Sequence, residues 1–380
     1  MSNIVLFDLT ATQPIGSIKR HGGGKYGEIV LKRIIKRKLP VFCYYDSSRW
    51  LNPEILDLIK DNNVELYDLK SSSLSEIQRR SHCKIIFSAL PQRNLFQYKG
   101  CIVIGTIHGL RRLETPVDNY IFKYKNSTLR EWLIYLYHKF FPHSYIHRLV
   151  SYKEKEFSNS LFNFVTVSYH SQCSLYTYFP SLRNRDVKVF YSPSTSLNLA
   201  RERIYKDKYF MLVSAKIKDK NNLRAIEALD KLFDNEFLSD FNVKITGAES
   251  SKIFRYKIHN VNRFEFLGYV DDKELDQLYH DAYALIYPSL NEGFGYPPLE
   301  AMHYGVPVLA SPFTSIPEVC DNAALYFNPL SVEEISARIL RMSDEKVRKT
   351  YSERALNQYN IITKKQNEDL DGLIDYIYSF

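Results

Sequence analysis

Residues 282–311 read AYALIYPSLNEGFGYPPLEAMHYGVPVLAS, and this stretch decides the fold class. The apolar run 282–288 has the length of a buried strand and stops at Pro288. A loop with two glycines follows. Pro297 and Pro298 sit where the first turn of a helix tolerates proline, and Gly305 is placed to end that helix. A second apolar run, VPVLAS (306–311), then reads as another strand. Glu292 therefore falls in the loop and Glu300 in the helix. Their spacing carries no weight alone, since Glu345 and Glu353 repeat it; the surroundings do. Gly293, Phe294 and Gly295 let backbone approach a ligand, and the amides and positive dipole end of the helix favour phosphate. The stretch reads as an anion-binding, sugar-handling site that a nucleotide diphosphate fits.

Working outward, the same alternation fills the chain. Upstream, the runs IVLFDL (4–9), VFCYY (41–45), VELYDL (64–69), KIIFSA (84–89), CIVIGTI (101–107), FVTVS (164–168) and VKVFYS (187–192) read as buried parallel strands, with helical segments such as 27–38 and 53–60 between them. After a polar stretch, SPSTSLNLARERIYKDK (192–208), a second series follows: YFMLVSA (209–215), VKITG (243–247), RFEFLGYV (263–270), the two runs of the opening stretch, and AALYFNP (323–329). Alternating strand and helix predicts an α/β protein of two Rossmann-like, doubly wound domains facing across a cleft. The expected boundaries are 1–195 and 196–360. A tail helix over 361–380, with Leu370, Leu373, Ile374 and Ile377 at helical spacing, is expected to pack back on the first domain.

Composition narrows the function classes. The 380 residues are 45% hydrophobic, enough for two sizeable cores and too apolar for disorder. Cys43, Cys83, Cys101, Cys173 and Cys320 are odd in number and lack a CxxC pair, which suits reduced thiols in a cytoplasmic protein. The N-terminal MSNIVLFDLT has no basic leader and reads as a first strand, and no apolar run approaches a membrane span. Charge is uneven: residues 1–200 carry 28 Lys and Arg against 15 Asp and Glu, whereas residues 201–380 carry 23 against 28. A basic first half calls for an acidic partner. Leu129–Phe157 interleaves Trp132, Tyr135, Tyr137, Phe140, Phe141 and Tyr145 with Arg130, Lys139, Arg148, Lys153 and Lys155. That pattern suits an interfacial helix on anionic lipid, or a buried amphipathic helix with a solvated basic face. It fits no RNA-binding signature, and no nucleic-acid partner is expected.

The run Glu292-Gly-Phe-Gly-Tyr-Pro-Pro-Leu-Glu300-Ala-Met-His-Tyr-Gly305-Val-Pro-Val308 resembles the pattern E-G-F-G-x-P-x-x-E-A-M-x-x-G-x-P-V of the retaining glycosyltransferases of family 4. Those enzymes have the GT-B architecture. The resemblance extends through SPFTSIPEVCDNAALYFNP (311–329), with Ser315 and Glu318, and covers most of the second domain. It implies that Glu292 contacts hydroxyls of the transferred sugar and that Glu300 holds the ribose. The amides of Phe294 and Gly295 would face the donor. In VSAKIKDKNN (213–222), Lys220 falls on the family's diphosphate-binding lysine. The companion arginine is Ala215 here and the preceding glycine is Ser214, so a cation is missing, with Lys216 and Lys218 as candidate replacements. A unit charge about 4 Å from a phosphate is worth roughly 4 kcal/mol at an effective dielectric of 20, so the loss calls for compensation. By the same likeness Tyr269 and Val270 edge the base pocket.

In the first half, TATQPIGSIKRHGGGKYGE (10–28) carries Gly22, Gly23 and Gly24 in the loop after the first strand, where the resembled family has a glycine-bearing loop near the donor phosphates and acceptor. This is not a GxGxxG fingerprint. His108, just past a strand end, looks like the family's central histidine, and its ring is expected to exchange protons near neutral pH. Arg111, Arg112 and Glu114 are candidates for the acceptor side. Ser168 and Ser171 either face the cleft or cap the next helix. No carboxylate cluster has metal-ligand spacing, so neither metal nor cofactor is expected. The resemblance implies a retaining transferase moving a sugar from a nucleotide-diphosphate donor to a glycan. The basic first half and the aromatic, basic 129–157 segment add the expectation of a lipid-linked acceptor at the inner face of a membrane. The alternatives are a non-catalytic GT-B partner of a glycan-assembly complex and a nucleotide-sugar epimerase.

Overall fold

The computed structural model describes residues 4–14, 21–194 and 208–380. Most of the expected 192–208 linker and part of the 10–28 loop lie outside these residues. The chain divides into two compact units, one of residues 1–110, 148–195 and 363–380, the other of residues 111–147 and 196–362.

In the first unit seven parallel strands, β1 (Val5–Asp8), β2 (Val41–Tyr45), β3 (Leu66–Asp68), β4 (Ile85–Ser88), β5 (Ile102–Ile107), β6 (Phe162–Thr166) and β7 (Lys188–Val189), lie in the order β3-β2-β1-β4-β5-β6-β7. In the second, six parallel strands, β8 (Lys208–Leu212), β9 (Phe241–Thr246), β10 (Phe264–Gly268), β11 (Ala284–Tyr287), β12 (Val308–Ala310) and β13 (Ala324–Tyr326), run β10-β9-β8-β11-β12-β13. Each expected strand is present, and both orders reverse direction beside the first strand of the unit. That reversal is the doubly wound signature. Alternate residues of the second sheet enter two cores. Phe210, Leu212, Val243, Ile245 and Ile286 pack on one face, Met211, Leu285, Tyr287 and Val308 on the other, which is why these strands read as continuous apolar runs.

The division departs from the expected boundary at residues 111–147, which belong to the second unit. Asp118 accepts two hydrogen bonds from Arg224, at 2.6 and 2.7 Å. Tyr120 and Lys123 both donate to Glu227 at 2.9 Å. Backbone bonds Lys125 N to Ile253 O (2.8 Å) and Arg255 N to Lys123 O (2.6 Å) complete the attachment. A buried, doubly bonded arginine–carboxylate pair of this kind is costly to break, which holds the segment where sequence order gave no hint of it. The expected interfacial helix is two helices, Leu129–Phe140 and Pro142–Phe157, interrupted at Phe141 because a residue before proline disfavours helical backbone. The tail belongs to a 34-residue helix, Glu345–Tyr378. Within the first unit, its Asp371 and Asp375 pair with Arg33 and Arg37 at 2.8 and 2.6 Å, and Leu370, Leu373, Ile374 and Ile377 are buried. No helix among the described residues is long and apolar enough to cross a membrane.

Candidate functional site

Ligands of open α/β sheets sit beyond the strand ends where the order reverses, here the ends of β8 and β11. The segment after β8 delivers Lys220, and the segment after β11 delivers Glu292. Lys220 Nζ lies 2.5 Å from Glu292 Oε1. Tyr287 Oη and Ser289 Oγ donate to the same oxygen at 2.6 and 2.5 Å, and Lys220 also donates to Tyr287 Oη at 2.6 Å. Among the described residues the donors all meet Oε1 and none reaches Oε2. Both charged side chains are nearly buried, 12% and 11% exposed. Burial opposes ionisation of Glu292, but Lys220 and then the hydrogen bonds from Lys220, Ser289 and Tyr287 outweigh it, holding the carboxyl below its usual range. For Tyr287, burial first and then Glu292 push the phenol well above its ordinary value, so it stays protonated and donates.

The loop 292–295 is pinned from below. Glu292 N donates to Thr314 Oγ1 at 2.9 Å, and Ser315 Oγ donates to the carbonyls of Glu292 and Phe294 at 3.0 and 2.9 Å. Gly295 then caps the helix Tyr296–His303 with φ 108° and no side-chain cap bond, a backbone that a residue with Cβ rarely adopts. Pro297 and Pro298 occupy the first turn, and Gly305, at φ 64°, closes the far end. Glu300 sits in this helix beside Tyr279, whose phenol is raised by burial and then by that carboxylate. Phe294 is buried.

The cations are less simple. Ser214 takes φ 59°, the left-handed backbone that explains a glycine expectation there, and Ala215 is fully buried. Lys216 faces Glu249 at 3.7 Å. Lys218 is bonded to both oxygens of Glu131, at 2.7 and 2.8 Å, so neither candidate stands unpaired. Arg111, a candidate for the acceptor side, approaches Asp219 at 3.4 Å within the second unit. Glu114 accepts from Asn291 Nδ2 at 3.1 Å. Burial first, opposed by Arg111, raises Asp219 above its ordinary value. Arg112 is exposed. Tyr269, at 85% exposure, and half-buried Val270 follow β10 at the same sheet edge.

In the first unit the glycine triplet is not loop. Gly22, Gly23 and Gly24 form the first turn of the helix Gly22–Lys36, capped by His21 Nδ1, which accepts from Gly24 N at 3.0 Å. His108 Nε2 lies 2.8 Å from Ala89 O, and the ring stands edge-on to Tyr26 at 5.0 Å. Burial, against that carbonyl and with His21 assisting, lowers its pKa to about 4. That lowering runs against the expected proton exchange near neutral pH, and a neutral ring donates to Ala89 O as the Nε2–H tautomer, which leaves Nδ1 as an acceptor. Ser168 is buried and caps the helix Tyr169–Tyr178 through Ser171 N at 3.1 Å. Sequence reasoning missed Tyr287, Ser289 and Asp219. Only their places at strand ends, beside Pro288 and between Lys218 and Lys220, could have flagged them.

Residues 196–358, which make up most of the second unit, match the family described as Glycosyl transferases group 1. O-antigen chain mannosyltransferase B of Escherichia coli is 48% identical over 94 residues, 24% of this chain and 25% of that protein. O-antigen chain mannosyltransferase RfbU of Salmonella typhimurium is 32% identical over 165 residues, 43% of this chain and 46% of that protein. The chain thus spans less than half the length of these curated relatives. Among solved structures, sucrose-phosphate synthase from Thermosynechococcus elongatus aligns with TM-score 0.70 at 12% identity over 98% of both chains. Anabaena HepE in complex with UDP-glucose aligns with TM-score 0.61 at 14% identity over 98% of this chain and 100% of the other. At such identities the likeness shows the fold, which is GT-B.

Proposed function

We propose that this chain is a retaining, metal-independent glycosyltransferase of family 4 that moves a sugar from a nucleotide-diphosphate donor to a hydroxyl of a growing glycan in polysaccharide assembly. The observation that carries this reading is the buried Lys220–Glu292 pair at the strand-order reversal of the second unit, beside a helix start that has no side-chain cap. Mannose is the transferred sugar favoured by the names of the two relatives, and a nucleotide-sugar donor accords with the UDP-glucose bound by HepE. Lys220 and the start of the Tyr296–His303 helix take the diphosphate charge. Oε2 of Glu292 accepts a sugar hydroxyl, Glu300 holds the ribose, and the base lies by Tyr269 and Val270. The acceptor oxygen attacks the anomeric carbon from the face the donor phosphate leaves. The C–O bond to phosphate breaks with its electron pair on the phosphate, which takes the acceptor proton, and configuration is kept.

The acceptor is proposed to be lipid-linked, with the protein peripheral at the cytoplasmic face of the membrane. The helix Leu129–Phe140 has no buried residue, and Leu129, Leu133, Phe140 and Phe141 stand exposed beside Arg130 and Lys139, the pairing that binds anionic lipid. Flotation with anionic vesicles but not with neutral ones is expected; no flotation with either removes the membrane part of the reading. For the reaction, GDP among GDP, UDP, dTDP and ADP should raise the melting temperature most, since a ligand bound only by the native state stabilises it. Transfer from the matching donor in excess EDTA should then give a product whose anomeric configuration, read by proton NMR, matches that of the donor. An inverted product, or activity abolished by EDTA and restored by metal, rejects the mechanism. Interconversion of the donor without acceptor points to an epimerase, and binding without transfer to a non-catalytic partner.

A further inference from the structure

Resting on the nucleotide-sugar reading above, we propose that Arg111 supplies the second cation on the donor diphosphate, the one that buried Ala215 cannot supply. The three lysines of the 213–222 segment each have a carboxylate already: Lys216 with Glu249, Lys218 with Glu131 and Lys220 with Glu292. Arg111 is held differently. Its nearest approach to Asp219 is through Nε, at 3.4 Å, and the side chain is 59% exposed; among the described residues its Nη nitrogens make no hydrogen bond. Two terminal donors in a planar fork match a phosphate better than an ammonium does.

Position supports the assignment. The short helix Arg111–Glu114 is fastened at both ends to the segments that carry the Lys220–Glu292 pair. At one end Arg111 meets Asp219, the neighbour of Lys220, and the Asp219 carbonyl accepts from Leu290 N at 2.8 Å. At the other end Glu114 accepts from Asn291 Nδ2, adjacent to Glu292, at 3.1 Å. Arg111, Glu292, Lys220 and Lys218 all act electrostatically on Asp219, so the arginine's charge lies near the pair. The segment 111–147, through Asp118 with Arg224 and through Tyr120 and Lys123 with Glu227, is locked to the helix Asn222–Asp234. Arg111 thus comes from a chain segment remote in sequence yet rigidly joined to the unit that holds the donor site.

The test is isothermal titration of GDP, UDP, GMP and UMP into the full chain, wild type, Arg111→Gln and Asp219→Asn, with melting temperatures confirming that each variant folds. Arg111→Gln is expected to weaken binding of the preferred diphosphate by on the order of ten- to a hundredfold, the range for a charge-assisted hydrogen-bonded pair. The corresponding monophosphate should change by less than about twofold, because the lost grip is on the terminal phosphate. Asp219→Asn should bind the diphosphate more tightly, since a competing carboxylate is gone. Unchanged diphosphate affinity in Arg111→Gln overturns the proposal while leaving the nucleotide-sugar reading intact. Equal losses for mono- and diphosphate, or an Asp219→Asn variant as impaired as Arg111→Gln, make the arginine a structural partner and overturn it too. A wild-type chain that binds neither diphosphate removes the nucleotide-sugar reading itself.

Discussion

Two glycine-bearing segments follow strands in this molecule and open helices, one in each unit, and they do not do the same thing. At 293–295 the chain reaches a left-handed residue, Gly295, and starts a helix with no side-chain cap beside the charged pair Lys220–Glu292. At 22–24 three consecutive glycines lie inside an ordinary first turn that His21 caps. A Cβ on Gly22 would meet nothing within 4 Å. In that helix the glycine the packing requires is Gly27, where a Cβ would come within 2.9 Å of Ala89 Cβ and 3.0 Å of Thr12 Cγ2. A glycine run by itself therefore carries no ligand information; backbone sign and neighbouring charge do.

The largest break in the comparison comes from the charged partner that only one segment has. Glu292→Gln keeps the size of the side chain but removes the charge opposite Lys220, and turnover at saturating donor should fall by roughly 10²- to 10³-fold, the usual loss for a group that stabilises the transition state. Steady-state transfer assays measure this. Wild-type turnover in the variant removes Glu292 from the chemistry.

A smaller effect separates the glycines. Gly295→Ala forces φ near 108° on a residue with Cβ, at a cost of about 1–3 kcal/mol in stability. Gly27→Ala should destabilise by a similar amount through overpacking against Ala89, about 1–3 kcal/mol. Gly22→Ala should change stability by no more than about 1 kcal/mol, with stabilisation the expected sign, since alanine suits a helix better than glycine. Urea unfolding midpoints order the three. A Gly22→Ala variant as damaged as Gly295→Ala would erase the distinction.

The ordering of these effects shows what sequence could and could not carry. Both sheets were legible because parallel strands buried on two faces are continuous apolar runs, such as 282–288 and 101–107; the strand order itself comes from the structure. The helix at 296–303 was legible from Pro297, Pro298 and Gly305, whose backbone preferences are local. What stayed hidden was set by distant contacts. Residues 111–147 join the second unit through Asp118–Arg224, more than a hundred positions apart, and no local pattern announces such a pair. Tyr287 looked like one more strand residue, yet its hydroxyl joins Lys220 to Glu292. Conversely the glycine triplet looked informative because composition is visible and conformation is not.

His108 gives the smallest expected effect and the one that separates position from protonation. Its ring was read as a proton exchanger from its place after a strand, but burial lowers its pKa from 6.5 to about 4. For a base held neutral by the fold, the unfolded chain takes up a proton first as pH falls. The stabilising contribution is therefore complete above about pH 6.5 and is lost between there and about pH 4, below which it no longer changes. A His108→Gln variant should lose less stability than wild type across that window, while the gap between the two stays constant from pH 7 to 9, as pH-dependent melting will read. The residue keeps some solvent access, so the difference is small. The sharper readout is turnover: a neutral ring with Nδ1 free to accept can orient a hydroxyl but cannot supply a proton, so the pH–rate profile should show no limb near 6.5 that vanishes in His108→Gln. Such a limb would return the histidine to acid–base chemistry.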